Sequence, residues 1–133
     1  MGPRIALYSH DTMGLGHVRR QLVVAQTLSG LRPAPAILMI CCAKEAAAFA
    51  LPPGLDCLAL PSIGKTTGGE YRGRRLELAL SELVRLRAQT IRAAVASFDP
   101  DLVLVDKVAG GFQGEFRPTL RWLKDREIGR AHV

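Results

Sequence analysis

The stretch HDTMGLGHVRR, residues 10–20, gathers two histidines, two glycines and two arginines between an apolar run, RIALYS, and a helical segment, QLVVAQTLSG. Gly14 and Gly16 let main chain approach a ligand closely, because a residue without Cβ leaves room there. The helix start behind them offers free N–H groups to an anion. His17 stands at that start, where the positive end of the peptide dipoles disfavours a second positive charge and so favours the neutral imidazole that proton abstraction requires. The chemistry this pattern suits is removal of a proton close to a bound anion.

Two familiar phosphate-binding motifs fit poorly. A dinucleotide fingerprint needs a third small residue at position 19, where Arg19 stands, and the polar insertion HDTM separates strand from first glycine. SIGKTTGG ends like a P-loop, but its leading glycine is replaced by Ala59 and no helix follows Thr66 directly.

The elements that must position these residues alternate along the chain. Arg4–Ser9 reads as a strand and His17–Ser29 as a helix closed by Gly30. Ala36–Cys42 is a second apolar strand, Ala43–Phe49 a short helix, and Leu55–Leu60 a third strand. Residues 61–73, PSIGKTTGGEYRG, read as a glycine-rich basic loop suited to a mobile role. Arg74–Phe98 reads as a long helix with Leu76, Leu80, Leu83, Leu86, Ile91 and Val95 on its apolar face. FDP ends it, Leu102–Val105 is a fourth strand, and a last helix runs from about Glu115 to Asp125.

Strands that are apolar throughout, separated by helices, imply a parallel sheet covered on both faces: a doubly wound, Rossmann-like α/β fold. Reversal of strand order after the third strand puts strands 1 and 4 side by side and opens a ligand crevice at their carboxyl ends.

Composition narrows the partners. A net charge of +6 over 133 residues favours anionic ligands, while 5% aromatic content argues against the stacking platforms of single-strand nucleic-acid binders. The three cysteines, Cys41, Cys42 and Cys57, lack metal-site spacing and read as buried thiols of a cytoplasmic protein. No paired glycosidase carboxylates and no metal-ligand cluster are visible, so neither a metal nor a cofactor is expected. No run approaches the roughly 18 apolar residues of a membrane span. The ending IGRAHV resembles the translation of a common short-read sequencing adapter, so residues 127–133 are read as a non-native tail and 1–126 as a domain truncated at its C-terminal side.

A polar turn after strand 1, GLGHVRR opening helix 1, and FDPDLVLVD at the fourth strand together resemble the N-terminal half of a GT-B glycosyltransferase. The likeness extends to about residue 125. It is strongest to a family of bacterial predicted glycosyltransferases, and more distant to the enzyme that adds N-acetylglucosamine to the lipid-linked peptidoglycan precursor. The resemblance implies a two-domain enzyme whose N-terminal domain holds a hydroxyl acceptor, phosphorylated or lipid-linked, with peripheral membrane contact. A nucleotide-sugar donor would bind the second domain as co-substrate. His17 matches the family's general base. Asp106, beyond strand 4, is a candidate to hold it, and Thr12, Gly14, Gly16, Arg19, Lys65, Arg72 and Lys107 are candidate substrate contacts.

Blander readings stand beside each assignment. His17 reads also as a helix-start residue with a local hydrogen bond, Asp106 as a loop or capping aspartate, and Arg19, Arg20 and Lys107 as solvated surface. His10 reads as scaffold or crevice wall. Two rival functions are a nicotinamide-dinucleotide-binding domain and a non-catalytic partner subunit of a split glycosyltransferase.

Overall fold

The computed structural model describes residues 2–10, 16–42, 50–106, 108–126 and 129–132, with main chain alone at 16, 17 and 129–132. In chain order the elements are β1 (Arg4–Tyr8), α1 (Gly16–Leu28), β2 (Ala36–Cys42), β3 (Leu55–Leu60), β4 (Ile63–Lys65), β5 (Tyr71–Gly73), α2 (Leu80–Phe98), β6 (Leu102–Val105), a 3-10 turn (Phe112–Gly114), α3 (Arg117–Asp125) and β7 (Gly129–His132). The short helix expected over Ala43–Phe49 lies outside the described residues.

The main sheet is parallel and ordered β3-β2-β1-β6-β7. Ile5 pairs with Ile37 of β2 on one side and with Leu102 of β6 on the other, so the first and fourth expected strands are neighbours. The chain winds outward from β1 to β3, then returns across β1 to β6, which makes β1/β6 the switch point.

Strand alternation divides the core into two layers. Ile5, Leu7, Ile37, Met39, Cys41 and Leu55 pack against Val18, Leu22 and Ala25 of α1. Ala6, Tyr8, Ile40, Leu60, Val103 and Val105 pack on the opposite face against Ile91 and Val95 of α2 and Phe116 and Leu123 of α3. Helices therefore cover both faces, which is why the strands carry no polar alternation.

Four local expectations are corrected. Residues 61–73 are an antiparallel hairpin, β4 against β5, rather than an open loop. Its turn is held by Thr66 N–H to the Glu70 carbonyl at 2.7 Å and by Glu70 N–H to Thr66 Oγ1 at 3.1 Å. The long helix starts at Leu80, not Arg74, because Arg74 N–H extends the hairpin ladder to the Ser62 carbonyl at 3.0 Å and Ala79 is extended. It ends as expected: Asp99, left-handed at φ 53°, donates its N–H to the Val95 carbonyl, and Pro100 follows. Leu76 and Leu86 lie outside the core, 44% and 42% exposed; the buried stripe is Leu83, Arg87, Ile91 and Val95, a repeat of four. The last helix begins at Arg117, since Gln113 and Gly114 are left-handed and Phe116 N–H turns back to the Gly110 carbonyl.

Residues 129–132, set aside as tail in the sequence reading, pair with β6 from Leu102↔Gly129 to Val105↔His132. An open strand edge pairs through main-chain groups alone, so this pairing is indifferent to the origin of the segment.

The displaced stripe has a direct test. Leu83→Ala, at a fully buried position packed on Ile63 and Phe112, is expected to cost about 2–5 kcal/mol. Leu86→Ala is expected to cost about 0.5 kcal/mol or less. Urea unfolding of both variants reads the difference; equal losses would restore the original face.

Candidate functional site

The carboxyl ends of β1, β2, β3 and β6 form one edge of the sheet, and α1 starts above it. Two other elements converge on the last carbonyl of β1. Gln21 of α1 donates Nε2–H to the Tyr8 carbonyl at 3.0 Å, and Asp106, just past β6, donates its N–H to the same oxygen at 3.0 Å. The Asp106 side chain is buried, and Arg20 Nη1 donates to its Oδ1 at 2.6 Å from a half-exposed position. A charge-assisted bond this short joins the start of α1 to the end of β6 across the switch point.

Behind this edge lies a second, wholly buried charge cluster. Arg87 of α2 and Glu115 are both without exposed side-chain surface and form a two-pronged pair, Nε to Oε2 at 2.7 Å and Nη2 to Oε1 at 2.8 Å. Arg87 Nη1 also donates to the Pro61 carbonyl at 2.6 Å, at the end of β3, and contacts Cys42 Sγ at 3.6 Å. Tyr8 donates its hydroxyl to Glu115 Oε1 and accepts the Phe112 N–H at 3.1 Å. Burial opposes the Arg87 charge, but the hydrogen bonds and attraction of Glu115 outweigh it and hold the guanidinium protonated. Burial, then the neighbouring Glu115 carboxylate, pushes the Tyr8 phenol well above its ordinary value. Burial likewise raises the Cys57 thiol, which is therefore no ready nucleophile.

Gly111 makes the close approach possible. Its φ is +71°, and a Cβ there would lie 2.8 Å from the Tyr8 hydroxyl.

A chain of rings then ties the basic hairpin to the edge. His10 lies 5.8 Å from Phe112 between centroids, Tyr71 meets Phe112 edge-on at 5.0 Å, and Lys65 Nζ sits 5.3 Å over the Tyr71 ring. Ile63, fully buried, packs with Phe112 and Leu83 beneath.

The expected site residues are distributed as follows. Gly16 and His17 are the first two residues of α1, the latter described at the main chain. Asp106 is at the switch point, and Arg19 is exposed on α1. Lys65 and Arg72 are exposed on β4 and β5 and line one cavity of about 350 Å³ together with Arg74 and Arg75; neither α1 nor Asp106 contributes to its walls. Thr12, Gly14 and Lys107 lie outside the described residues. His10 packs on Phe112 in keeping with a wall position.

Sequence reasoning left the Arg20 partner undecided and missed the Arg87–Glu115–Tyr8 cluster. The signal was there: Arg87 stands four residues from both Leu83 and Ile91, inside an apolar stripe, and a cation so placed requires a buried carboxylate. Among the described residues no group of three or more His, Cys, Asp and Glu comes together as a metal site, and no helix is long and apolar enough to cross a membrane.

These features define a Rossmann-like α/β fold of the kind that forms one half of a GT-B-like fold. No protein-family model matches the chain, and no curated protein matches it. Among solved structures it is similar to one from Listeria monocytogenes assigned as a UDP-N-acetylglucosamine 2-epimerase, at TM-score 0.63 and 13% identity. That match covers 100% of this chain and 30% of the other. A second UDP-N-acetylglucosamine 2-epimerase matches at TM-score 0.61 and 13% identity, over 100% of this chain and 33% of that one. The chain thus spans about a third of the length of these neighbours.

Two outcomes test the buried cluster. Glu115→Ala strands the Arg87 charge and is expected to cost about 3–5 kcal/mol, whereas the paired replacement Arg87→Met/Glu115→Leu is expected to recover most of that loss. Denaturant midpoints of the two variants decide between an ion pair and a mere packing contact. The second concerns pH. In the unfolded chain Tyr8 ionises near its ordinary value of 10.0, while the folded state holds it protonated above that. The contribution is therefore complete below pH 10 and lost as pH rises beyond it. Tyr8→Phe should flatten this alkaline decline in thermal stability; an unchanged slope counts against the assignment.

Proposed function

We propose that this chain is the acceptor-side, N-terminal domain of a GT-B-type glycosyltransferase, comprising residues 1–126, with 127–133 as a non-native tail. The complete enzyme would move a sugar from a nucleotide-sugar donor, held by a second domain, to a hydroxyl acceptor. His17 takes the acceptor proton and Asp106 steadies it.

One observation carries this reading. Arg20, near the start of α1, reaches Asp106 at 2.6 Å, which joins the start of that helix to the carboxylate just past β6 at the switch point. The GT-B-like fold and the sugar-nucleotide enzymes among its structural neighbours support carbohydrate chemistry at this edge. The sequence motif GLGHVRR supports the transferase within that class. Gly14 and Gly16 open the crevice, and Thr12, Arg19 and Lys107 contact the acceptor. The full enzyme works in the cytoplasm, on or near a membrane surface.

A second reading follows from the same neighbours: a sugar-nucleotide epimerase built on this fold. The full-length protein, incubated with UDP-N-acetylglucosamine and a panel of hydroxyl acceptors, separates the two by product. Transfer yields a glycosylated acceptor and UDP; epimerisation alters the donor sugar without an acceptor. In that protein His17→Ala is expected to reduce turnover by about 10²–10⁴-fold, the range of a lost general base, while donor binding by calorimetry stays nearly unchanged. Retained turnover would falsify the base assignment.

A further inference from the structure

The hairpin cleft has a construction that the acceptor-side reading leaves unexplained. Arg72 and Arg74 are two apart along an extended segment and so share a face, and that face looks across Gly64, the residue paired with Arg72. A Cβ at Gly64 would stand 3.1 Å from the Arg74 Cγ and Nε, so the missing side chain is what lets the Arg74 stem lie over β4. Arg74 Nε is pinned to the Ile63 carbonyl at 3.3 Å, which fixes where its guanidinium sits. Lys65 and Arg75 complete the walls with Thr66, and Glu77 is the single carboxylate among the lining residues.

The scaffold under this cleft is rigid. Ile63 is fully buried, and Tyr71 is set edge-on against Phe112, whose N–H is held by Tyr8. The planar fork of guanidinium donors that Arg72, Arg74 and Arg75 carry matches the oxygens of a phosphoryl group. The cavity of about 350 Å³ is of the size that takes a small ligand.

We propose that the hairpin cleft is a phosphoryl-binding site, in which Arg72, Arg74 and Arg75 together hold a diphosphate or phosphodiester group. The proposal deepens the acceptor-side reading and rests on it for the identification of that group as part of the acceptor. Arg74 and Arg75 are assigned to ligand binding by this geometry. The same chemistry is offered by a soluble phosphoester and by an anionic lipid headgroup.

The test uses the 133-residue chain with two probes: pyrophosphate by titration calorimetry, and phosphatidylglycerol vesicles by sedimentation with phosphatidylcholine vesicles as the neutral reference. Arg72→Gln/Arg75→Gln and, as a second pair, Arg72→Gln/Arg74→Gln are compared with Arg85→Gln/Arg92→Gln, which removes the same charge from exposed positions on α2. Each cleft pair is expected to weaken binding by about tenfold or more, and the control pair by no more than about twofold. Loss seen with pyrophosphate supports the site with a soluble ligand; loss confined to the anionic vesicles supports it with a headgroup as the source. Absence of binding to both probes, or weakening no greater in the cleft pairs than in the control, overturns the proposal. His17→Ala leaves this binding intact, so failure of the proton-abstraction reading and failure of the cleft are read separately.

Discussion

The buried pair between Arg87 and Glu115 is the interaction on which the rest of the molecule hangs. It joins α2 to the segment entering α3, and through Pro61 and Tyr8 it reaches the ends of β3 and β1. Neither charge touches water, so each is tolerable only because the other is present with its remaining donors and acceptors engaged. Displacing any one of these elements would leave a charge in the apolar layer without compensation. A group of hydrophobic contacts in the same place would permit sliding; a two-pronged ion pair does not.

That constraint shapes the carboxyl edge of the sheet. Tyr8, fixed by Glu115, holds the Phe112 N–H, and Phe112 in turn anchors Tyr71 and stands beside His10. The hairpin and the β6–α3 connection are thereby set over the carboxyl ends of the strands. On the other face of the sheet, Gln21 and Asp106 share the Tyr8 carbonyl, so the first strand positions both α1 and the end of β6. Tyr8 thus holds α1 and the end of β6 through its carbonyl and the Glu115–Phe112 cluster through its phenol.

The two charge clusters differ in kind. Arg20 and Asp106 meet with the arginine half exposed and the carboxylate buried, so this contact is open to solvent from the arginine side. Arg87 and Glu115 are sealed, and their role is architectural. A reading of charged residues alone ranks these two pairs alike; burial separates the pair that is open to solvent on one side from the pair that holds the scaffold.

Much of this was legible in the residues. The four expected strands lie where the continuous apolar runs lie, because a strand buried on both faces has no polar side to show. FDP marks the end of α2, because Asp tolerates the left-handed turn and Pro cannot continue a helix. The β1/β6 adjacency followed from the handedness of crossovers. The hairpin was not legible, since three-residue strands rich in glycine and arginine carry no periodicity of their own and pair through main chain. Leu86 and Arg87 were exchanged for a similar reason: both fit the helical period, and only contact with Glu115 selects which one turns inward. Local sequence determined the class of fold and the order of the strands β1, β2, β3 and β6 with the helices α1, α2 and α3. Tertiary structure decided which charges are buried, which cations share a cleft and what meets Asp106, because those outcomes depend on partners as much as 107 residues away along the chain.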